Sequence, residues 1–60
     1  MPVITLEAGS LNKEQKRELI KEWTTSASKI MNIPEEAFIV LLKENNTDNI
    51  GVGGIMLSNR

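Results

Sequence analysis

Residues 37–44 read Ala37-Phe38-Ile39-Val40-Leu41-Leu42-Lys43-Glu44. Apolar side chains run without a break from Phe38 to Leu42. A strand with one wet face alternates apolar and polar residues, whereas an unbroken apolar run signals a strand covered on both faces. The segment is therefore read as the strand around which the fold is built. A helix of the same chain can cover one face. In a chain of 60 residues, little is left to cover the other, which carries Ile39 and Leu41. A second copy of the chain is the expected cover.

Upstream, Ile33-Pro34 ends whatever helix precedes it, because the residue before a proline avoids the helical region. The spacing predicts that helix from about Lys13 to Met31. Asn12 is a favoured N-cap, and Gln15 stands three residues on, where a capping box places its glutamine. Leu19, Ile20, Trp23, Ala27, Ile30 and Met31 draw one apolar stripe at spacings of three and four. Lys13, Lys16, Arg17, Lys21 and Glu22 lie mostly off it, on a solvated face. Trp23, Met31 and Met56 are read as core. Further upstream, Val3 to Glu7 is a short strand rich in β-formers, broken by Ala8, Gly9 and Ser10. Strand, long helix, strand is the pattern of two parallel strands joined by a right-handed crossover. Downstream, Asn45 to Asn49 is a polar turn, and Ile50 to Leu57 alternates loosely around Gly51, Gly53 and Gly54, as a small hairpin does. The expected class is α/β (α+β): a single domain over 1–60, a β-α-β unit with parallel strands and a C-terminal β-ribbon.

Composition narrows the chemistry. Lys and Arg total 7 and Asp and Glu 8, for a formal net charge of −1, and Trp23 and Phe38 are the only aromatics. Neither a basic patch nor a stacking platform for nucleic acid is present. No apolar run approaches the roughly 20 residues of a membrane span, and no basic segment followed by an apolar one marks a secretory leader. Cytoplasmic residence is expected, and the absence of Cys agrees with it. On that reading the sequon Asn45-Asn46-Thr47 is idle. Gly51, Gly53 and Gly54 lack the dinucleotide spacing and open no helix. Asn46, Asp48 and Gly51 supply too few ligands for a calcium loop. Neither a cofactor nor a metal is expected, and a small molecule is the expected substrate. A core this small needs a staple, and without Cys or His other subunits are the most economical one.

The absence of His removes the commonest general base. Ser and Thr hydroxyls have nothing to activate them. The remaining group that titrates near neutrality is an α-amine, at roughly 7.7–8.0 in model peptides. Methionine aminopeptidases remove an initiator Met that precedes a small residue, and Pro2 follows Met1. Processing would expose a secondary amine at the start of the first strand. Apolar surroundings disfavour its charged form and leave a free base near neutral pH. Pro2 is thus the candidate catalytic residue for proton transfer.

The chain resembles the 4-oxalocrotonate tautomerase family of small β-α-β subunits. Pro2 behind Met1, Leu6-Glu7 with Gly9, Glu14-Gln15-Lys16, Leu19-Ile20, Pro34, Glu44 and above all Ile50-Gly51-Val52-Gly53-Gly54 carry the likeness along nearly the whole chain. It implies a homo-oligomer, usually a hexamer built as a trimer of dimers. It also implies an amino-terminal proline that moves a proton between enol and keto forms of dicarboxylate-like acids. The best-known members grip substrate carboxylates with two arginines. Where one stands before the helix this chain has Ser10 or Leu11, and where the other stands on the second strand it has Ile39. An aromatic near the ribbon is replaced by Ile50. Neither Leu nor Ile imitates the two-pronged charged fork of arginine. The implied pocket of Ser10, Leu11, Ile39 and Ile50 suits less charged enols or arylated keto acids. Lys43, Lys16, Arg17 or Arg60 of a neighbouring copy is a candidate replacement cation, Lys43 first because it shares a strand face with Ile39 and Leu41. Two alternatives are a non-catalytic assembly or binding module of the same fold, and a proline-dependent lyase or dehalogenase with Glu7 or Glu44 activating water.

Overall fold

The computed structural model describes residues 1–59. Strand β1 spans Val3–Ala8, helix α1 Lys13–Met31 and strand β2 Ile39–Glu44. β1 and β2 pair in parallel with Val3 opposite Ile39, Thr5 opposite Leu41 and Glu7 opposite Lys43. A two-stranded antiparallel ribbon follows, β3 over Gly51–Val52 and β4 over Ile55–Met56. The β-α-β unit with its C-terminal hairpin is the architecture expected from the sequence.

Local chemistry sets the boundaries. The Asn12 side chain accepts from the Gln15 N–H at 2.8 Å, and the Gln15 side chain accepts from the Asn12 N–H at 3.0 Å. This reciprocal box satisfies two donors that the helix start would otherwise orphan. Replacing Asn12 by Ala is expected to cost about 1 kcal/mol, read as a lowered denaturation midpoint at unchanged slope. At the other end Asn32 adopts a left-handed conformation, φ 59° and ψ 44°. Asn tolerates that region better than most residues. Its N–H and that of Ile33 both return to the Ser28 carbonyl.

The second strand starts later than the apolar run suggests. Glu35–Ala37 forms a 3₁₀ turn, closed by the Ala37 N–H on the Pro34 carbonyl and the Phe38 N–H on the Glu35 carbonyl, each at 3.0 Å. Pro34 supplies the fixed φ that such a turn needs at its start, so Ala37 and Phe38 serve the turn and pairing begins at Ile39. In the ribbon, the two connecting residues Gly53 and Gly54 have φ of 60° and 83°. A two-residue loop with both φ positive matches the twist of a hairpin, and glycine meets that demand without strain.

The two sheet faces differ in kind. Ile4, Leu6, Ala8, Val40 and Leu42 are half-buried, as are Leu19, Trp23 and Ala27 of the helix, which packs on β2. The opposite face shows Val3, Thr5, Ile39 and Leu41 to solvent, and the register aligns them side by side, ending in Glu7 and Lys43. Leu41 is 45% exposed. Among the described residues none is fully buried, and Ile20, Ile30, Met31, Val52, Ile55 and Met56 are all exposed. Met31 and Met56, expected in a core, are therefore outside one within the single chain, and so is half of the helix stripe.

Size says the same. The radius of gyration is 14.8 Å, where a compact chain of this length has roughly 10 Å. The accessible surface is 4750 Å², against roughly 3,900 Å² for a folded monomer of this mass. Hydrophobic burial is the main favourable term in folding, and a chain that leaves this much apolar surface open has not completed it alone.

Candidate functional site

Pro2 stands at the start of β1, half-buried, and its carbonyl accepts the Ile39 N–H at 3.0 Å. That bond extends the parallel ladder by one residue beyond the strand. It fixes the backbone on the C-terminal side of the proline ring. The Pro2 nitrogen is held in the peptide bond to Met1, which is 88% exposed. A residue so placed is within reach of a processing enzyme.

The other sequence candidates do not gather around Pro2 within one chain. Ile39 does, through the backbone bond just given. Lys43 lies four residues along β2, about 13 Å away at the usual strand rise. Ser10 and Leu11 follow the far end of β1, farther still. Ile50 is half-buried beside the ribbon, and its carbonyl accepts from the Leu57 N–H at 2.7 Å. β4 packs on the turn Thr47–Asn49, which in turn packs on Leu57–Asn59. Glu7 and Glu44, the acids considered for a water-activating role, also sit at the sheet end remote from Pro2. Any pocket uniting Pro2 with Ser10, Leu11 or Lys43 has to draw on two or more copies.

That remote end is the best-organised polar region of the chain. Glu44 closes β2, and both carboxylate oxygens are engaged: Oε2 accepts the Leu11 N–H at 2.9 Å and Oε1 accepts Lys16 Nζ at 2.7 Å. Beside it the Asn45 N–H donates to the Ala8 carbonyl at 2.8 Å and Asn45 Nδ2 to Glu7 Oε1 at 3.3 Å. An open depression lined by Gly9, Ser10, Glu44, Asn45, Asn46 and Thr47 lies over this network. The Leu11 amide, and after it Lys16, hold the Glu44 carboxyl below its ordinary range. Sequence reading singled out Glu44 as a match to a family pattern and as a candidate water-activating acid, not for these contacts. Its contacts span 33 and 28 residues, a separation that no local motif reveals.

A depressed folded-state pKa means that Glu44 adds stability above the ordinary carboxylate range and loses it as pH falls through the folded value. Glu44→Gln cannot titrate. The melting-temperature gap between parent and variant is therefore expected in full at neutral pH and to shrink on acidification below the carboxylate range. The gap is modest, since Lys16 and Glu44 keep 36% and 37% of their side-chain surface in water.

Of the candidate cations, Lys16 is committed to Glu44 and Arg17 to Glu14 at 2.6 Å. Lys43 has no ion-pair partner among the described residues, and Arg60 lies outside them. Among the described residues no three His, Cys, Asp or Glu converge as a metal site, and no helix is long and apolar enough to cross a membrane.

Known proteins share this arrangement. A family model described as tautomerase enzyme matches residues 2–60. The crystal structure of a 4-oxalocrotonate tautomerase homologue superposes with a TM-score of 0.92 at 31% identity, covering 100% of this chain and 97% of that one. YwhB, also a homologue of 4-oxalocrotonate tautomerase, gives 0.90 at 28% identity, with 98% of each chain covered. DmpI from Archaeoglobus fulgidus gives 0.84 at 30% identity, covering 95% and 98%. No curated protein sequence matches significantly.

Proposed function

Because the chain belongs to the tautomerase enzyme family, we propose that it is an isomerase that interconverts enol and keto forms of small 2-keto or 2-hydroxydienoate acids. The base is the secondary amine of Pro2 after loss of Met1. The amine accepts the enol hydroxyl proton, and the resulting ammonium delivers a proton to the β-carbon. The carbon–carbon double bond breaks as the carbonyl forms, and the base is returned. No redox step is involved. The observation that carries this reading is the position of Pro2. It is held by its carbonyl on Ile39 at the head of β1, behind a Met1 that projects into solvent.

The working unit in this reading is a homo-oligomer, a hexamer built as a trimer of dimers, each subunit a single domain over 1–60, in the cytoplasm. Two observations support assembly: the exposed apolar face of Val3, Ile39 and Leu41, and a surface larger than a folded monomer of this mass requires. Assembly also solves the geometry of the site. It brings Ser10, Leu11 and Lys43 of one copy to Pro2 and Ile39 of another, with Ile50 contributing an apolar wall. Lys43 supplies the positive charge for one substrate carboxylate. With Ser10 or Leu11 and Ile39 where arginines would grip a dianion, the pocket suits singly charged, arylated substrates. Phenylenolpyruvate is the test compound. Mass spectrometry first establishes that Met1 is absent from the active protein, and Pro2→Ala is then compared with the parent. Equal rates, or full activity with Met1 in place, overturn the reading.

A further inference from the structure

We propose that Glu44 is a positioning residue for substrate binding: it sets the loop between β1 and α1, and so fixes where Ser10 and Leu11 stand when a neighbouring copy presents its Pro2. The inference rests on the tautomerase reading above and adds to it a residue that never touches the reacting atoms.

The loop from Gly9 to Asn12 has little to hold it from within. Gly9 carries no side chain, and a Cβ built there would meet nothing within 4 Å. Ser10 is exposed. Asn12 turns its side chain and its N–H forward into the helix cap. Between them, the Leu11 N–H points back to β2 and lands on Glu44 Oε2. The same carboxylate takes Lys16 from the helix's first turn on its other oxygen. One side chain thus ties strand, loop and helix together at a single point. Hydrogen bonds to a charged acceptor are stronger than neutral ones, and a backbone amide fixed in this way leaves its neighbours few alternatives.

The charges are secondary to the placement. Lys16 meets the carboxylate at 2.7 Å, and the two side chains keep 36% and 37% of their surface in water, where solvent and salt screen their charge. Ser10 offers only a neutral hydroxyl and an amide, and such hydrogen bonds weaken steeply when donor and acceptor are misplaced.

The test uses the full chain and three variants. Glu44→Ala removes the acceptor for Leu11. Glu44→Gln keeps an oxygen for that amide and gives up the ion pair. Lys16→Met leaves the carboxylate but deletes its partner. For phenylenolpyruvate, Glu44→Ala is expected to raise KM about tenfold with kcat within about twofold, the pattern of lost binding without lost chemistry. Glu44→Gln and Lys16→Met are expected to stay within about twofold of the parent in KM, by the same criterion. Hydrogen exchange at the Leu11 amide is expected to quicken only in Glu44→Ala. An unchanged KM in Glu44→Ala alongside a faster Leu11 amide overturns the proposal, because the loop is then free without consequence. A tenfold KM rise in Glu44→Gln or Lys16→Met also overturns it, because charge rather than loop placement is then responsible. These two variants keep the question decidable if Glu44→Ala does not fold. Absence of turnover in the parent refutes the tautomerase reading. The positioning role is then decided by phenylpyruvate binding: about tenfold weakening in Glu44→Ala sustains it, and unchanged binding refutes it.

Discussion

On the proposed mechanism, Pro2→Ala is expected to lower the rate of enol-to-keto conversion by about 10²- to 10⁴-fold, the usual contribution of a positioned acid–base group. The fold persists, because the Pro2 ring accepts no hydrogen bond and the carbonyl that meets Ile39 belongs equally to alanine. Alanine is small enough for Met1 to be removed as before, so the variant also presents a free terminal amine. What it lacks is the ring. The pyrrolidine fixes φ and aims the nitrogen lone pair along one direction, whereas a primary amine on a rotating terminus is more mobile and better hydrated. The comparison therefore separates a placed base from an amine that is merely present. Rate against pH, measured with and without the substitution, is the check. The parent is expected to follow one neutral-range ionisation, and the variant to stay far below the parent's rate across the whole range.

Leu41→Glu is expected to dissolve the proposed assembly. Leu41 lies mid-strand on the open sheet face, flanked across the register by Thr5 and near Ile39 and Val3. Covering a leucine is worth about 1.5–3 kcal/mol. Enclosing a carboxylate in its place costs several kcal/mol more per ion, and every copy bears the change. Sedimentation at micromolar concentration is expected to show the parent as an oligomer and the variant as single chains. Leu41→Met, which conserves volume, costs less than about 1.5 kcal/mol and is expected to remain associated. A Leu41→Glu protein that sediments like the parent would mean the face is open to water in the assembly.

The helix was legible to the residue. Asn12 and Gln15 announce its start, and Ile33-Pro34 its end, because caps and breakers are local chemistry that acts wherever the chain places it. The ribbon was equally plain, since Gly53 and Gly54 meet a conformational demand few other residues meet. The start of β2 was not. Ala37 and Phe38 belong to the apolar run by composition, yet hydrogen bonding to Pro34 and Glu35 recruits them into a turn. Burial of Met31 and Met56 was misplaced for a different reason. An apolar side chain reports that it will be covered but not by which copy. The candidate site divides along the same line. Pro2 could be proposed by elimination, since no His or Cys competes with it. The spatial relation of Ser10, Leu11, Ile39 and Lys43 could not, because the sheet puts Ile39 next to Pro2 and the others at the far end. Glu44 was hidden most deeply. Its importance lies in contacts to Leu11 and Lys16, which only the folded crossover brings near.

A chain that seals none of its described residues inside itself has a thermodynamic cost that a self-sufficient domain avoids. On the assembly proposed above, folding and encounter are one equilibrium, and its midpoint moves with protein concentration. Dilution then acts as a denaturant, and a newly made copy is open to proteases until it meets its siblings. The melting temperature becomes a property of the population, and the abundance of the protein helps to set its own lifetime.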